Sequence, residues 1–164
     1  MLRYDKKITA IRLACAWTAA ACIVSPAIGG ELDAAFRGRW TIASSAMAPW
    51  ATATDSVFPK EVAALVGRTV DIRADGIRGP TELACRKPNY ELRAVPADEL
   101  FQGTLADDGD LAEAPEVIAA RLGFTGKTPT LITGCANEIE FHRRDDGSLA
   151  FGLNNSIYRL TRSK

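Results

Sequence analysis

Apolar and polar side chains alternate along residues 36–45. In an extended chain, one face of this stretch carries Phe36, Gly38, Trp40 and Ile42, and the other carries Arg37, Arg39 and Thr41. A period of two is typical of a strand with one buried face. Further short stretches favour strands at residues 68–75, 77–85, 90–95, 130–135, 138–144, 148–153 and 156–162. The pattern therefore predicts eight strands.

Turn-forming residues separate these stretches. Asp75-Gly76 favours a tight turn between the second and third strands, and Asn154-Asn155 separates the last two. Pro80 has no backbone N–H, so we expect the third strand to be irregular or to lie at an edge near this residue. The short connections predict that neighbouring strands are antiparallel.

Helical signals are confined to the connections. Residues 58–67 and 114–123 each have a proline at their second position, continue with an apolar face and end at a glycine, which is the pattern of a short helix. A third turn at residues 96–103 is expected to cover an end of the barrel through Leu100 and Phe101. The two helices fall between the first and second strands and between the fourth and fifth.

The predicted fold is mostly β, an antiparallel eight-stranded barrel with two short helices in its connections. Closely spaced strands with one apolar face favour a sandwich or a barrel over a parallel sheet. An even number of strands favours closure, because the first strand then pairs with the last and no edge is exposed. At eight strands, the interior is filled by side chains or holds one small ligand.

Gly38-Arg39-Trp40 on the first strand, with Arg159 and Arg162 on the last, resembles the lipocalin-like (calycin) arrangement. The resemblance covers the layout of residues 36–162. It implies that Trp40 closes the floor of the barrel and that a basic side chain from the last strand lies over its indole, a contact stabilised by the cation–π attraction. We expect Arg159 to be that side chain.

The first thirty residues resemble a secretion signal. Basic residues precede an apolar run at 13–24, and small residues follow at 25–30. The run is shorter than the roughly 20 residues that a membrane-spanning helix needs. We predict a cleaved signal at residues 1–29, with Ala27 as the alternative cleavage point, and one β-barrel domain at residues 30–164. Lipid attachment at Cys22 is the rival interpretation, but Ala19 occupies the position where a Leu-like residue is expected.

The cysteines indicate an oxidising compartment. Cys15 and Cys22 lie in the predicted signal, so Cys85 and Cys135 remain and are expected to form a disulfide bond. The sequence has 20 basic and 20 acidic residues, and the first thirty residues hold four of the former and one of the latter, which leaves a net charge near −3. This charge does not indicate a nucleic-acid partner. We predict a periplasmic or secreted protein.

The chain has little that indicates catalysis. The only histidine, His142, is expected to face solvent beside Glu140, and no recognised enzyme motif is present. Residues 107–110 with Glu113 suggest calcium, but their spacing does not match an EF-hand loop. Trp50 could cap the barrel mouth, anchor a partner or pack against the first helix, and we expect the last. We predict no enzymatic activity, no cofactor and no metal.

Two functions of different classes fit these features, and we predict the first, with the second as the alternative. The first is an exported lipocalin-like protein that binds a small apolar ligand, with a pocket lined by Trp40, Val70, Ile72, Leu92, Phe141 and Phe151. The second is a periplasmic inhibitor of a hydrolase, a protease or a lysozyme, acting through protein–protein contact. The layout is similar to that of small exported barrel inhibitors. The resemblance to the metalloprotease inhibitors implies that an N-terminal segment, here residues 30–35, enters the enzyme.

Overall fold

The computed structural model describes residues 32–51, 59–106 and 111–164. The predicted signal at residues 1–29, the candidate lipidation site Cys22 and the acidic stretch at residues 107–110 lie outside the described residues. Every segment that carries a predicted strand is described.

Eight antiparallel strands form one curled sheet, a half-barrel, which confirms the predicted mostly-β fold. The strands are β1 (Gly38–Met47), β2 (Thr69–Arg73), β3 (Gly76–Arg78), β4 (Glu91–Val95), β5 (Thr128–Ile132), β6 (Glu140–Arg143), β7 (Leu149–Leu153) and β8 (Ser156–Arg162). Three short helices are α1 (Pro59–Leu65), α2 (Leu100–Gly103) and α3 (Pro115–Arg121). Prolines begin α1 and α3, as the sequence predicts, because the first helical turn does not need their missing N–H.

The strand order β3-β2-β1-β8-β7-β6-β5-β4 lacks one pairing of a closed up-and-down barrel. Strands that follow each other along the chain pair with one exception: no ladder joins β3 to β4 in the described part of the chain. In addition, β1 pairs with β8. β3 has three residues, and Gly79-Pro80 follows it. Because proline cannot donate a ladder hydrogen bond, the sheet ends there, and an open seam separates β3 from β4.

Covalent and polar contacts bridge one end of this seam. Cys85 forms an isolated bridge with Ile77 of β3, and a disulfide bond joins Cys85 to Cys135, beyond β5. The Tyr90 hydroxyl donates to the backbone carbonyl of Arg73 at 2.9 Å. The predicted disulfide is therefore confirmed, and it connects the two edges of the sheet. Such a bond is typical of oxidising, extracytoplasmic compartments.

The concave face of the sheet is packed with large side chains. Its fully buried aromatic residues are Phe36, Trp40, Phe141, Phe151 and Tyr158. The rings of Phe151 and Tyr158 stack with centroids 4.9 Å apart, and Phe141 meets Phe151 edge-on at 5.8 Å. Aliphatic neighbours complete this core: Leu32, Ile42, Leu65, Val70, Ile72, Ile77, Leu83, Leu131, Ile139, Leu149 and Leu160.

A second core lies on the opposite face of the sheet. Ala150 and Ile157 alternate with the concave residues Phe151 and Tyr158, so their side chains point the other way. The 97–106 segment and α3 cover them with Leu100, Phe101, Leu105, Ile118 and Phe124. The strands under this layer are therefore buried on both faces, which the prediction of one apolar face did not include.

Trp40 is buried, as predicted, but the cation above it is Arg162. The Arg162 guanidinium carbon lies 4.2 Å from the centre of the indole ring, and the two residues are directly paired between β1 and β8. The expectation of Arg159 is wrong because residues three apart on a strand point to opposite faces. Arg159 lies on the other face and forms an ion pair with Asp146 at 2.8 Å.

Gly38 has a structural role in this arrangement. A Cβ atom at this position would lie 2.7 Å from Nη1 of Arg162, and the backbone has a φ of 120°. Only glycine accommodates both the close approach and this backbone conformation without strain. The glycine two residues before Trp40 therefore provides the space that the Arg162 guanidinium requires.

Candidate functional site

The residues predicted to line a ligand pocket are mostly brought together. Trp40, Val70, Ile72, Phe141 and Phe151 belong to the concave core and are each no more than 1% exposed. Leu92 is the exception, with 49% of its surface exposed. It lies on the edge strand β4 at the open seam, where no strand covers it, so it does not join the other five in the concave core.

A different cavity, of about 150 Å³, lies against the sheet face opposite the concave core. It is formed by the start of the connection after β1, by α2, by β6 with the connection that precedes it, and by the end of β7 with the turn that follows it. Its lining consists of Trp50, Phe101, Gln102, Thr104, Asn137, Glu138, Ile139, Glu140, His142, Gly152, Leu153 and Asn154. We call it the outer cavity.

Backbone strain is concentrated around the outer cavity. Among the described residues, those with positive φ other than glycine are Phe101 (53°), Gln102 (63°), Glu138 (55°) and Asn154 (51°). All of them line this cavity. The left-handed conformation costs Phe101, Gln102 and Glu138 about 1 to 2 kcal/mol each, and such strain is often found at functional sites. Asn154 lies in the two-residue turn between β7 and β8, where asparagine adopts this conformation readily. The strain singles out this surface of the molecule.

The buried ring of Phe101 anchors the strained turn at α2. Its centroid lies 4.7 Å from that of His142, 5.5 Å from that of Trp50 and 5.9 Å from that of Phe124. A Cβ atom at Gly152 would lie 3.4 Å from the rings of both Phe101 and Trp50. The two aromatic rings therefore lie directly against the backbone of β7 at this residue.

Trp50 lies over Phe101, not against α1 as expected. Its indole N–H donates to the backbone carbonyl of Asn154 at 3.2 Å, and its side chain is partly exposed. The indole therefore forms a wall of the outer cavity that remains accessible from solvent. The sequence offered a signal for this role, because an aromatic residue stands alone in a stretch of small and polar residues.

His142 is completely buried, so the expectation that it faces solvent is wrong. The backbone N–H of Phe101 donates to Nε2 at 3.0 Å. Nδ1 lies 2.8 Å from the Thr130 hydroxyl, which itself donates to the carbonyl of Thr128 at 3.3 Å. Nδ1 must therefore carry the proton. Burial lowers the pKa of His142 to about 3, so the ring is neutral and both of its nitrogens are occupied.

Glu140 is a largely buried carboxylate without a cationic partner. Its side chain is 19% exposed, and Oε2 lies 3.9 Å from Nε2 of the neutral His142. Burial raises the pKa of Glu140; a hydrogen bond from the Gln102 backbone and the more distant charge of Arg93 oppose this shift. Arg93 is held by Glu91 through hydrogen bonds of 2.7 and 2.9 Å. Within the described ranges, no lysine or arginine forms an ion pair with Glu140.

The outer cavity continues into a second one of about 450 Å³. The two share Gln102, Glu138, Ile139 and Glu140, and the second extends to Ile132, Thr133, Gly134 and Cys135. The Gln102 side-chain amide donates to the carbonyl of Glu138 at the boundary. The surface around the outer cavity therefore leads toward the disulfide bond.

The described residues contain no group of three or more histidine, cysteine or acidic side chains that could hold a metal ion. No helix among them is long and apolar enough to cross a membrane. Comparison with protein-family models, with curated proteins and with solved structures finds no match to this chain.

Proposed function

We propose that this chain is an exported binding module without catalytic activity, and that it acts by contact with a protein partner, an extracytoplasmic hydrolase. The observation that carries the proposal is the position of the available binding surface. The concave face is occupied by the protein's own aromatic side chains, whereas the outer cavity is reached from solvent and is formed by strained segments.

The charge of the outer cavity supports a protein partner over an apolar ligand, because its lining carries the carboxylates of Glu138 and Glu140. Sites for drug-sized molecules typically measure about 300 to 1,000 Å³, a range that the outer cavity reaches only together with the adjoining cavity; by itself it measures about 150 Å³. This volume suits the end of one side chain that a partner inserts, with the adjoining 450 Å³ cavity receiving the flanking chain. The disulfide bond supports a periplasmic or secreted location.

Site-specific photo-crosslinking in the source envelope tests this proposal. A photoreactive residue replaces Gln102 at the outer cavity or, as a matched control, Val117, which is 52% exposed on α3. We expect one protein adduct from position 102 and none from position 117. The captured protein, once purified, should show hydrolase activity that falls when the wild-type chain is added. The Trp50→Ala variant of the chain should not lower that activity. Adducts from both positions, or none from position 102, would contradict the proposal.

A lipocalin-like role in binding an apolar ligand is the second candidate, and one observation favours it. A cavity of about 380 Å³ lies at the open seam, where Leu92 and Ala94 meet Phe36. An acyl chain that covered the exposed Leu92 would bury apolar surface there. Native mass spectrometry of protein purified from its own envelope should then show a bound lipid that Leu92→Ser removes. A spectrum of the apoprotein alone would rule this candidate out.

A further inference from the structure

We infer that the outer cavity binds one basic side chain, arginine in preference to lysine, presented by the partner protein. This inference rests on the proposed function and specifies the chemistry of the partner. Its basis is a cavity of suitable size, an aromatic wall and a largely buried carboxylate that lacks a cation.

Charge is the first argument. Removing a carboxylate from water without a counter-ion is unfavourable, and a cation brought to it restores the balance. Glu140 has lost most of its water, and its nearest ring neighbour, His142, is neutral. Glu138 adds a second acidic residue to the same lining. A ligand that is anionic at this point would meet two carboxylates and no cation among the described lining residues.

The aromatic wall is the second argument. Trp50 and Phe101 lie with centroids 5.5 Å apart and present ring surface to the cavity. The face of an indole attracts cations, and a guanidinium stacks on it more readily than an ammonium does. A planar guanidinium could therefore lie against Trp50 and donate hydrogen bonds to the Glu140 carboxylate. The cavity of about 150 Å³ matches one such group, since an engineered cavity of that volume accepts benzene.

The chain already contains this type of contact. Arg162 lies over the Trp40 indole and donates hydrogen bonds to the backbone carbonyls of Ala34 and Ala35 at 2.9 and 3.0 Å. The outer cavity has the indole and the acceptor oxygens but no arginine among its lining residues. The inferred ligand would complete the same set of interactions from another molecule.

Blocked amino acids provide the test. The mature chain, labelled with ¹⁵N, is titrated with N-acetyl-arginine methylamide, its lysine analogue and its uncharged citrulline analogue, while the indole N–H of Trp50 and the amide of Gln102 are followed by NMR. We expect saturable shifts with arginine, with a dissociation constant on the order of millimolar, weaker binding of lysine and no saturation with citrulline. Equal binding of citrulline and arginine would overturn the inference.

Variants connect the binding to the inferred contacts. Glu140→Gln keeps the shape of the side chain and should weaken arginine binding about tenfold, whereas Glu116→Gln, an exposed residue of α3, should leave it unchanged. Trp50→Leu, checked for its native spectrum, should weaken binding as well. An unchanged affinity in Glu140→Gln would overturn the inference even if Trp50→Leu is impaired.

Two further arms separate the possible sources of the cation. Free arginine and spermidine are titrated in the same way. If either binds about 100-fold tighter than the blocked arginine, the source of the cation is not a protein side chain and the inference is overturned.

A partner crosslinked through position 102, combined with no arginine binding, would overturn this inference and leave the proposed function intact. Arginine binding without any crosslinked partner would instead overturn the proposed function.

Discussion

The guanidinium of Arg162 covers the indole of Trp40, with its central carbon 4.2 Å from the ring centroid. The same guanidinium donates to the carbonyls of Ala34 and Ala35, and the indole N–H donates to the carbonyl of Phe36 at 2.8 Å. One cation therefore fastens the N-terminal segment, the first strand and the last strand together. This contact lies where β1 pairs with β8, which joins the strands β3-β2-β1 to the strands β8-β7-β6-β5-β4.

Replacing either member of this pair should destabilise the fold to different extents. Trp40→Ala removes a fully buried ring and should lower the free energy of unfolding by about 3 to 5 kcal/mol. Arg162→Ala removes a more exposed contact and should cost about 1 to 2 kcal/mol. Urea unfolding measures both. Arg159→Ala is the control, and its ion pair with Asp146 is worth less than about 1 kcal/mol. A larger loss for Arg159→Ala than for Arg162→Ala would contradict the assignment.

The disulfide bond should contribute strongly to stability because it spans the open seam. Cys85 and Cys135 are 50 residues apart, and closing a loop of that length contributes about 4 kcal/mol in the chain-entropy description. The double variant Cys85→Ala/Cys135→Ala should lose about that amount in urea unfolding. Adding a reductant should destabilise the wild type and leave the double variant unchanged. Equal sensitivity of the two proteins to the reductant would show that the bond is not responsible.

The sequence was sufficient to predict the strands but not their register. Period-two alternation places strands near all eight observed segments, and Pro80 marks the edge at which β3 ends. The choice between Arg159 and Arg162 depends on which residue lies opposite Trp40. Alternation along β8 places Arg162 on the face of Tyr158 and Leu160, and Arg159 on the other face. It does not show which residue pairs with Trp40, and the irregular pairing between Ile42 and Ser44 shifts the register along β1.

The candidate site was beyond prediction for a related reason. The pattern of β6 has one apolar face, so it placed His142 in solvent. In the structure, the 97–106 segment covers the other face of β6, the one that carries His142, and buries the ring. The turn that does so has left-handed residues at Phe101 and Gln102, a conformation that neither residue type favours. Tertiary contacts override the local preference here, so the local sequence does not show it.

The burial of His142 should make stability depend on pH. Its pKa is about 3 in the folded state, against an ordinary value of 6.5, so the unfolded chain binds the proton more readily. Stability is therefore complete above about pH 6.5 and falls as the pH decreases toward 3. The chain has no other histidine, so urea unfolding between pH 7 and 5 follows mainly this effect; Glu140, whose pKa is raised by burial, contributes with the opposite sign and is common to the wild type and the control below.

The variant His142→Gln provides the control for that measurement. Glutamine does not titrate, so the slope of stability against pH in this range should largely disappear, while the stability at pH 7 should decrease as buried hydrogen bonds are lost. In NMR spectra of the folded wild type, the imidazole signals should not titrate between pH 7.5 and 5 and should show the proton on Nδ1. An imidazole midpoint near 6.5 would contradict the buried, neutral ring.

The strain around the outer cavity predicts substitutions that stabilise the fold. Glu138 has a φ of 55° and an exposed side chain. Glu138→Gly removes the steric cost of the left-handed conformation and should raise the free energy of unfolding by about 0.5 to 1 kcal/mol, since part of the gain is offset by the greater freedom of glycine when unfolded. Glu138→Ala retains the Cβ atom and should give no such gain. Urea unfolding of both variants measures the difference, and equal stabilities would show that the backbone of Glu138 is unstrained.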